Sequence, residues 1–172
     1  MSEEVTIRQV KPTDAAALLT LLKQLNQETP FLLVESSSLQ LSVTEEAQQL
    51  RLLLATDNNQ LFVAEFDGQL VGFIRVTASQ TPEIAHIGEV GVAVLRAFWG
   101  QGLGTVLLRN ILTWAQQNSL IRRLELTVQE RNQRAYHLYR SLGFKVEGKA
   151  ELGYCDQKAG FQTVLHLAMV QN

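Results

Sequence analysis

The chain has 172 residues, 46% of them hydrophobic and 19% charged, which are the proportions of one soluble globular domain long enough to bury a core. Its net charge of -2 gives no basic field to hold a polyanion and no apolar run approaches the roughly 20 residues that span a bilayer, so neither nucleic acid nor a membrane is expected as a partner. Cys155 is the only cysteine, which excludes an internal disulfide and argues against a cysteine-built metal site, and the acidic start Met1-Ser2-Glu3-Glu4 has no signal-peptide pattern, so the expected location is cytoplasmic.

In chain order, Val5, Ile7 and Val10 predict a short first strand. Pro12 to Asp14 start a helix whose stripe is Leu18, Leu21, Leu22 and Leu25, and Gln27 to Leu33, with Pro30, form a loop. Ser42-Val43-Thr44-Glu45 fits a capping box for a second helix with Ala47, Leu50, Leu53 and Leu54 on its buried face. Leu61 to Phe66 and Leu70 to Thr77 are β-rich runs joined by Asp67-Gly68, a hairpin signal. Ile84 to Val94 reads as a long strand, Leu103 to Ser119 as an amphipathic helix, and Arg123 to Val128 as an alternating strand. Asn132 to Leu142 is helical, closed by Gly143. Phe144-Lys145-Val146 opens another strand, and Phe161 to Met169 closes the sheet by pairing with Phe144 to Gly148 or beyond. The pattern is a mixed α/β structure, residues 1–172, without repeats or linkers.

Gly100-Gln101-Gly102-Leu103-Gly104 stands between a strand and a helix. Helix N-termini carry unpaired, partly positive N–H groups, and glycines let a turn bring such groups close to an anion. The turn lacks the Gly-Lys-Ser/Thr of a Walker loop, and its Gly-x-Gly-x-Gly spacing, past the midpoint of the chain, does not fit the dinucleotide fingerprint. Downstream, Asn132, Ala135 and Tyr139 fall at i, i+3 and i+7, so an amide, a small residue and a phenol share one helical face.

Together the two segments resemble the GCN5-related N-acetyltransferases, the GNAT superfamily. Their first motif, a strand ending in valine followed by Arg/Gln-x-x-Gly-x-Gly/Ala, is matched by Val94 to Gly104, except that Trp99 takes the arginine or glutamine position. Their second, Asn-x-x-Ala-x-x-Leu-Tyr-x-x-x-Gly-Phe, is matched by Asn132 to Phe144 at every named position. Glu147-Gly148 and the ending Leu165 to Met169 look like bacterial members. The likeness runs along the chain, but only residues 89–148 carry specific motifs.

The resemblance implies a single-domain GNAT fold, with a mixed central sheet splayed between two parallel strands and flanked by helices. It implies acetyl-CoA as cosubstrate, no metal, and transfer of the acetyl group to a primary amine on a small molecule or peptide; a polyamine, an amino acid, an aminoglycoside-like compound and a protein N-terminus all stay open. The backbone of Val92 and Val94 would bond the pantetheine arm. The segment Trp99, Gly100, Gln101, Gly102, Leu103, Gly104 and Thr105 would hold the pyrophosphate through its amides, with Arg96 as a nearby cation in place of the motif arginine. Asn132 would bond the cofactor arm beside Ala135, and Tyr139 would serve the thioester sulfur as proton donor. Glu89, in the long strand, is the candidate base, since an aliphatic ammonium with a pKa of about 10 must be neutral to attack. His86 is the second candidate, with His137 and His166 behind it. Cys155 has no sign of an activating base, and Arg122-Arg123 is expected as a solvated strand start or a minor attraction for the 3′-phosphate. Glu28, Phe31, Glu35 and Tyr154 are acceptor-side candidates, together with the segments Val76 to Ile84 and Gly148 to Gly160. A homodimer is compatible with the family, and the competing reading is an acyl-CoA-binding regulator without turnover.

Overall fold

The computed structural model describes residues 4–32 and 36–172. Local chemistry sets its element boundaries. Helix α1 (Ala15–Glu28) follows a 3₁₀ turn at Pro12–Asp14, where proline needs no hydrogen-bond acceptor, and buries Leu18, Leu21 and Leu25. One short turn of helix, α2 (Ser36–Leu39), precedes α3 (Val43–Leu54). The expected capping box opens α3: Ser42 Oγ accepts from Glu45 N–H at 3.1 Å, and Glu45 Oε2 accepts from Ser42 N–H at 2.8 Å. Strands β1 (Thr6–Gln9), β2 (Gln60–Phe66) and β3 (Gln69–Ala78) make an antiparallel meander. Its hairpin turns at Asp67 and Gly68, with φ of 50° and 77°, the left-handed pair that an Asp-Gly loop supplies.

The sheet continues through β4 (Ile87–Val94), β5 (Arg123–Gln129), β6 (Lys145–Asp156) and β7 (Gly160–Val170), in the order β1-β2-β3-β4-β5-β7-β6. Only β4 and β5 are parallel, and they are joined through α4 (Leu103–Gln117). Helix α5 (Gln133–Ser141) links β5 to β6. Leu107, Leu108, Ile111 and Ala115 of α4 are fully buried in one core with Ile74, Val76, Leu124 and Leu126. The mixed sheet, flanked by helices and open between its two parallel strands, is the architecture the motifs imply.

Two segments depart from the sequence pattern. The strand expected from Ile84 begins only at Ile87, because after Pro82 the chain closes local turns, with Ile84 N–H on Thr81 O at 3.0 Å and Ile87 N–H on Ile84 O at 3.1 Å. The strand that opens at Phe144 runs further than its sequence pattern shows, through Asp156, and so includes most of the acceptor-side segment Gly148 to Gly160. Its register shifts twice against β7, between Val146 and Gly148 and between Ala150 and Tyr154, and these irregularities hide the strand period.

Candidate active site

The site is built on a fork. β4 and β5 pair at Ile87↔Arg123, Gly88↔Leu124 and Glu89↔Glu125, and pairing stops there. The closed end is packed tightly: a Cβ on Gly88 would fall 2.5 Å from Val76 Cγ1 and 3.2 Å from Leu124 Cδ2. Beyond it, β4 keeps only its bonds to β3. Leu95 N–H donates to Val71 O at 2.9 Å, which assigns Leu95, Ala93 and Gly91 to the β3 ladder. By the alternation of a strand, Val90, Val92 and Val94 turn their N–H and C=O groups the other way, into the gap. The sequence-derived pair Val92 and Val94 therefore lines the open fork. One of its acceptors is already engaged, since Trp99 Nε1–H donates to Val94 O at 2.7 Å.

The glycine turn lies at the mouth of the gap. Gly100 and Gly102 have φ of 77° and 79°, the left-handed region that glycine enters without strain, and Gly102 is the N-cap of α4. The helix ladder starts at Val106 N–H on Gly102 O, 3.1 Å, so the N–H groups of Leu103, Gly104 and Thr105 precede it with no intrahelical acceptor. Leu103 buries its side chain and offers the turn only its backbone. Gln101 folds back toward Ala97 O at 3.5 Å, and Gly104 lets α4 approach Leu138 of α5, whose Cδ2 would lie 3.6 Å from a Cβ there. A cradle with successive positive-φ glycines and free helix N–H groups fits a phosphate group.

At the start of α5, Asn132 is the N-cap: its Oδ1 accepts from Ala135 N–H at 3.3 Å. Ala135 is half-buried on the same helix. Tyr139 is 8% exposed and packs edge-on to Phe144 with centroids 6.1 Å apart. Burial pushes its phenol up to about 12, so it stays protonated throughout the neutral range.

Glu89 sits at the fork itself, the last residue of β4 paired with β5. It is exposed and lines a hollow of about 370 Å³ with Arg123, Glu125, Thr127, Glu147 and His166. Arg123 is committed to two of these carboxylates: its Nε bonds Glu125 Oε1 at 2.6 Å and its two terminal nitrogens meet the Glu147 carboxylate. Its guanidinium holds the Glu147 carboxyl below the usual range. Glu89 and His166 are left as the hollow's titratable groups outside that cluster.

The structure thus joins His166 to Glu89, through the register Thr127↔His166 of the last strand, a proximity that sequence distance concealed. It separates His86 from them. His86 lies in the turn before β4, at the closed end, where its C=O accepts from Arg122 and Arg123 N–H. His137 is exposed and stacks edge-on to Tyr136. Cys155 is an exposed residue of β6. Of the acceptor-side candidates, Glu28 is committed to structure: its Oε2 accepts from Arg96 N–H at 2.8 Å, and its C=O accepts from the Arg96 guanidinium. Phe31 lies under Arg131, 5.2 Å from ring centroid to Cζ, while Tyr154 pairs with Gln162 in the outer hairpin. Glu35 lies outside the described residues.

A polar strap, not anticipated from sequence, ties the end of α1 to the outer hairpin. Gln129 Nε2 donates to Pro30 O at 3.3 Å, and its Oε1 accepts from Arg131 Nε at 2.8 Å. Arg131 pairs with Asp156 at 2.7 Å. The N–H groups of Ala159 and Lys158, with Arg131, hold the Asp156 carboxyl down at about 2. Among the described residues no helix is long and apolar enough to cross a membrane.

Residues 21–144 match the model of the family described as Acetyltransferase (GNAT) family. The chain belongs to the GNAT family. Among solved structures, this GNAT chain is similar to an acetyltransferase of the GNAT family from Streptococcus pneumoniae, with 34% identity, a TM-score of 0.93, and 97% and 99% of the two chains covered. It shares its fold with YncA of Salmonella typhimurium, solved with its cofactor acetyl-CoA, at a TM-score of 0.82, 18% identity, and 98% and 95% coverage. Among curated proteins it is 30% identical over 86 residues to the L-amino acid N-acetyltransferase AaaT of Escherichia coli (strain K12), a match covering 50% of this chain and 53% of that protein. The chain spans about half the length of the first curated relatives it matches.

Proposed function

We propose that the protein transfers an acetyl group from acetyl-CoA to a primary amine, with residues of the β4–β5 fork holding both partners. What supports this reading is the end of the β4–β5 pairing at Glu89, which frees the backbone groups of Val92 and Val94, together with the positive-φ glycine turn that opens α4; buried Tyr139 is read as facing the same gap from α5. The turn, from Trp99 to Thr105, takes the diphosphate; Val92 and the N–H of Val94 take the pantetheine amides; the Asn132 amide nitrogen takes the arm beside Ala135.

In the reaction the amine nitrogen attacks the thioester carbonyl, the C–N bond forms, the C–S bond breaks, and the amine proton must leave. Glu89 accepts that proton, directly or through water, because Arg123 already engages Glu125 and Glu147. Tyr139 assists the departing sulfur. With its phenol at about 12 and a free thiol at about 8.5, full proton transfer to the thiolate runs uphill, so Tyr139 acts as a hydrogen-bond donor to the developing negative charge.

Thiol release from acetyl-CoA in the presence of pooled amines, with mass detection of acetylated products, tests activity and acceptor together. Saturable acetyl-CoA binding without release for any amine, and with no effect of Tyr139→Phe, would leave only a CoA-binding protein.

A further inference from the structure

Trp99 stands where the family motif has arginine or glutamine, and the structure shows what the substitution does. The indole is pinned to the end of β4 by its bond to Val94 O. Two guanidinium groups lie over the pinned ring, with Arg96 Cζ 5.5 Å and Arg134 Cζ 5.7 Å from its centroid. Arg96 is tethered to the end of α1, through Glu28, by both its backbone N–H and its guanidinium. Arg134 is different. It projects from the first turn of α5, is exposed, and among the described residues has no carboxylate within ion-pair distance. Its Nη2 lies 3.9 Å from the position a Cβ on Gly100 would take. A planar guanidinium is thus held beside the turn's αL glycine, with its donors available for an oxyanion.

We propose that Arg134 is a phosphate-binding residue for the diphosphate of acyl-CoA, and that Trp99 is its positioning residue. This rests on the reading of the turn as an acyl-CoA site. The cation missing from the motif position is supplied from α5, and the indole that displaced it serves as the platform that orients the replacement. Cation–π contact limits the guanidinium's freedom without consuming its N–H donors, so they remain for two phosphate oxygens.

The test is calorimetric binding of CoA and of 3′-dephospho-CoA to the full chain and to R134Q, R134K, W99A and the W99A/R134Q double variant, with melting curves to confirm folding. R134Q is expected to weaken both ligands alike by about tenfold or more, the size of a lost charge-assisted hydrogen bond. R134K recovers part of that loss, and added salt narrows the gap between wild type and R134Q. W99A weakens binding to a similar degree, and the double variant is no worse than R134Q. Unchanged affinity in R134Q overturns the proposal, as does a loss that disappears with 3′-dephospho-CoA, since the guanidinium would then serve the 3′-phosphate. Multiplying effects in the double variant overturn the role given to Trp99. Wild-type protein that binds neither ligand overturns the acyl-CoA reading itself, and this inference with it.

Discussion

The two ends of the β4–β5 fork are made of different materials. In the proposed site, the turn end is made of main-chain groups: left-handed glycines, the free N–H groups that open α4, and strand amides turned into the gap. At the hollow, side chains carry it: Glu89, His166 and the Arg123 cluster stand on strand positions whose backbone is already engaged in the sheet. A main-chain site is set by φ and ψ and survives most substitutions outside its glycines. A side-chain site can be rewritten residue by residue without disturbing the ladder beneath it. Substitutions at the turn should therefore strike cofactor binding, and substitutions at the hollow should strike turnover.

The sharpest way to break that division is Gly102→Val. A Cβ at Gly102 meets nothing within 4 Å, so the damage comes from φ of 79° and not from a clash. Holding a branched residue there costs about 1–2 kcal/mol, and relaxing it rotates N–H groups away from the anion. CoA affinity measured by calorimetry should fall by about a hundredfold or more; normal affinity would remove the turn from the site. Next comes Glu89→Gln, for which kcat should fall by about a hundredfold to a thousandfold with unchanged CoA affinity. His166→Gln is the comparison: a loss below about fivefold leaves Glu89 as the base, and an equal loss makes the pair share the task.

Tyr139→Phe follows, with kcat lowered by about tenfold to a hundredfold and the KM for acetyl-CoA within about twofold. Because burial raises the phenol to about 12, its contribution to stability is complete below its ordinary pKa of 10 and is lost as pH rises through about 12. Ultraviolet absorption should accordingly show one tyrosine titrating late, absent in the variant. The smallest effect belongs to the strap. Asp156 has its carboxyl lowered from 3.8 to about 2 by the Ala159 and Lys158 N–H groups and Arg131, so its stabilising contribution is present above about pH 4 and fades as pH falls toward 2. Asp156→Asn should lower the melting temperature at pH 7, and the difference from wild type should shrink toward pH 2.

The turn end was legible in the sequence because glycine spacing and the Asn132–Phe144 pattern report backbone geometry directly. Val92 and Val94 fall on the unpaired stretch of β4, and Gly100 and Gly102 take the left-handed φ that the glycine spacing predicts. Arg134 was not legible there: it occupies an unnamed position of the second motif, and only the packing of α5 beside the turn brings it to Trp99. The hollow was half legible. Glu89 stands out as a charge in an apolar strand, but His166 reaches it through a register between β5 and β7 that no local pattern encodes. The strap from Pro30 to Asp156 joins residues more than a hundred positions apart through Gln129 and Arg131, and ordinary polar residues carry no such signal. The start of β4 shows the reverse case, a β-rich run from Ile84 whose first residues are taken by turn bonds after Pro82.

The order of strands on the far side of the fork carries a further consequence. β7 lies between β5 and β6, although it follows both along the chain. During synthesis, β1 to β5 and their helices can assemble while the outer edge of β5 still shows bare peptide groups to solvent, and β6 has no strand to join. The strand that supplies His166 closes that edge and docks β6 in the same event. Two of the seven strands, and the His166 side of the hollow with them, are therefore completed in one late cooperative step, and a nascent chain stopped near residue 159 would present β5 as an open template for pairing with other chains.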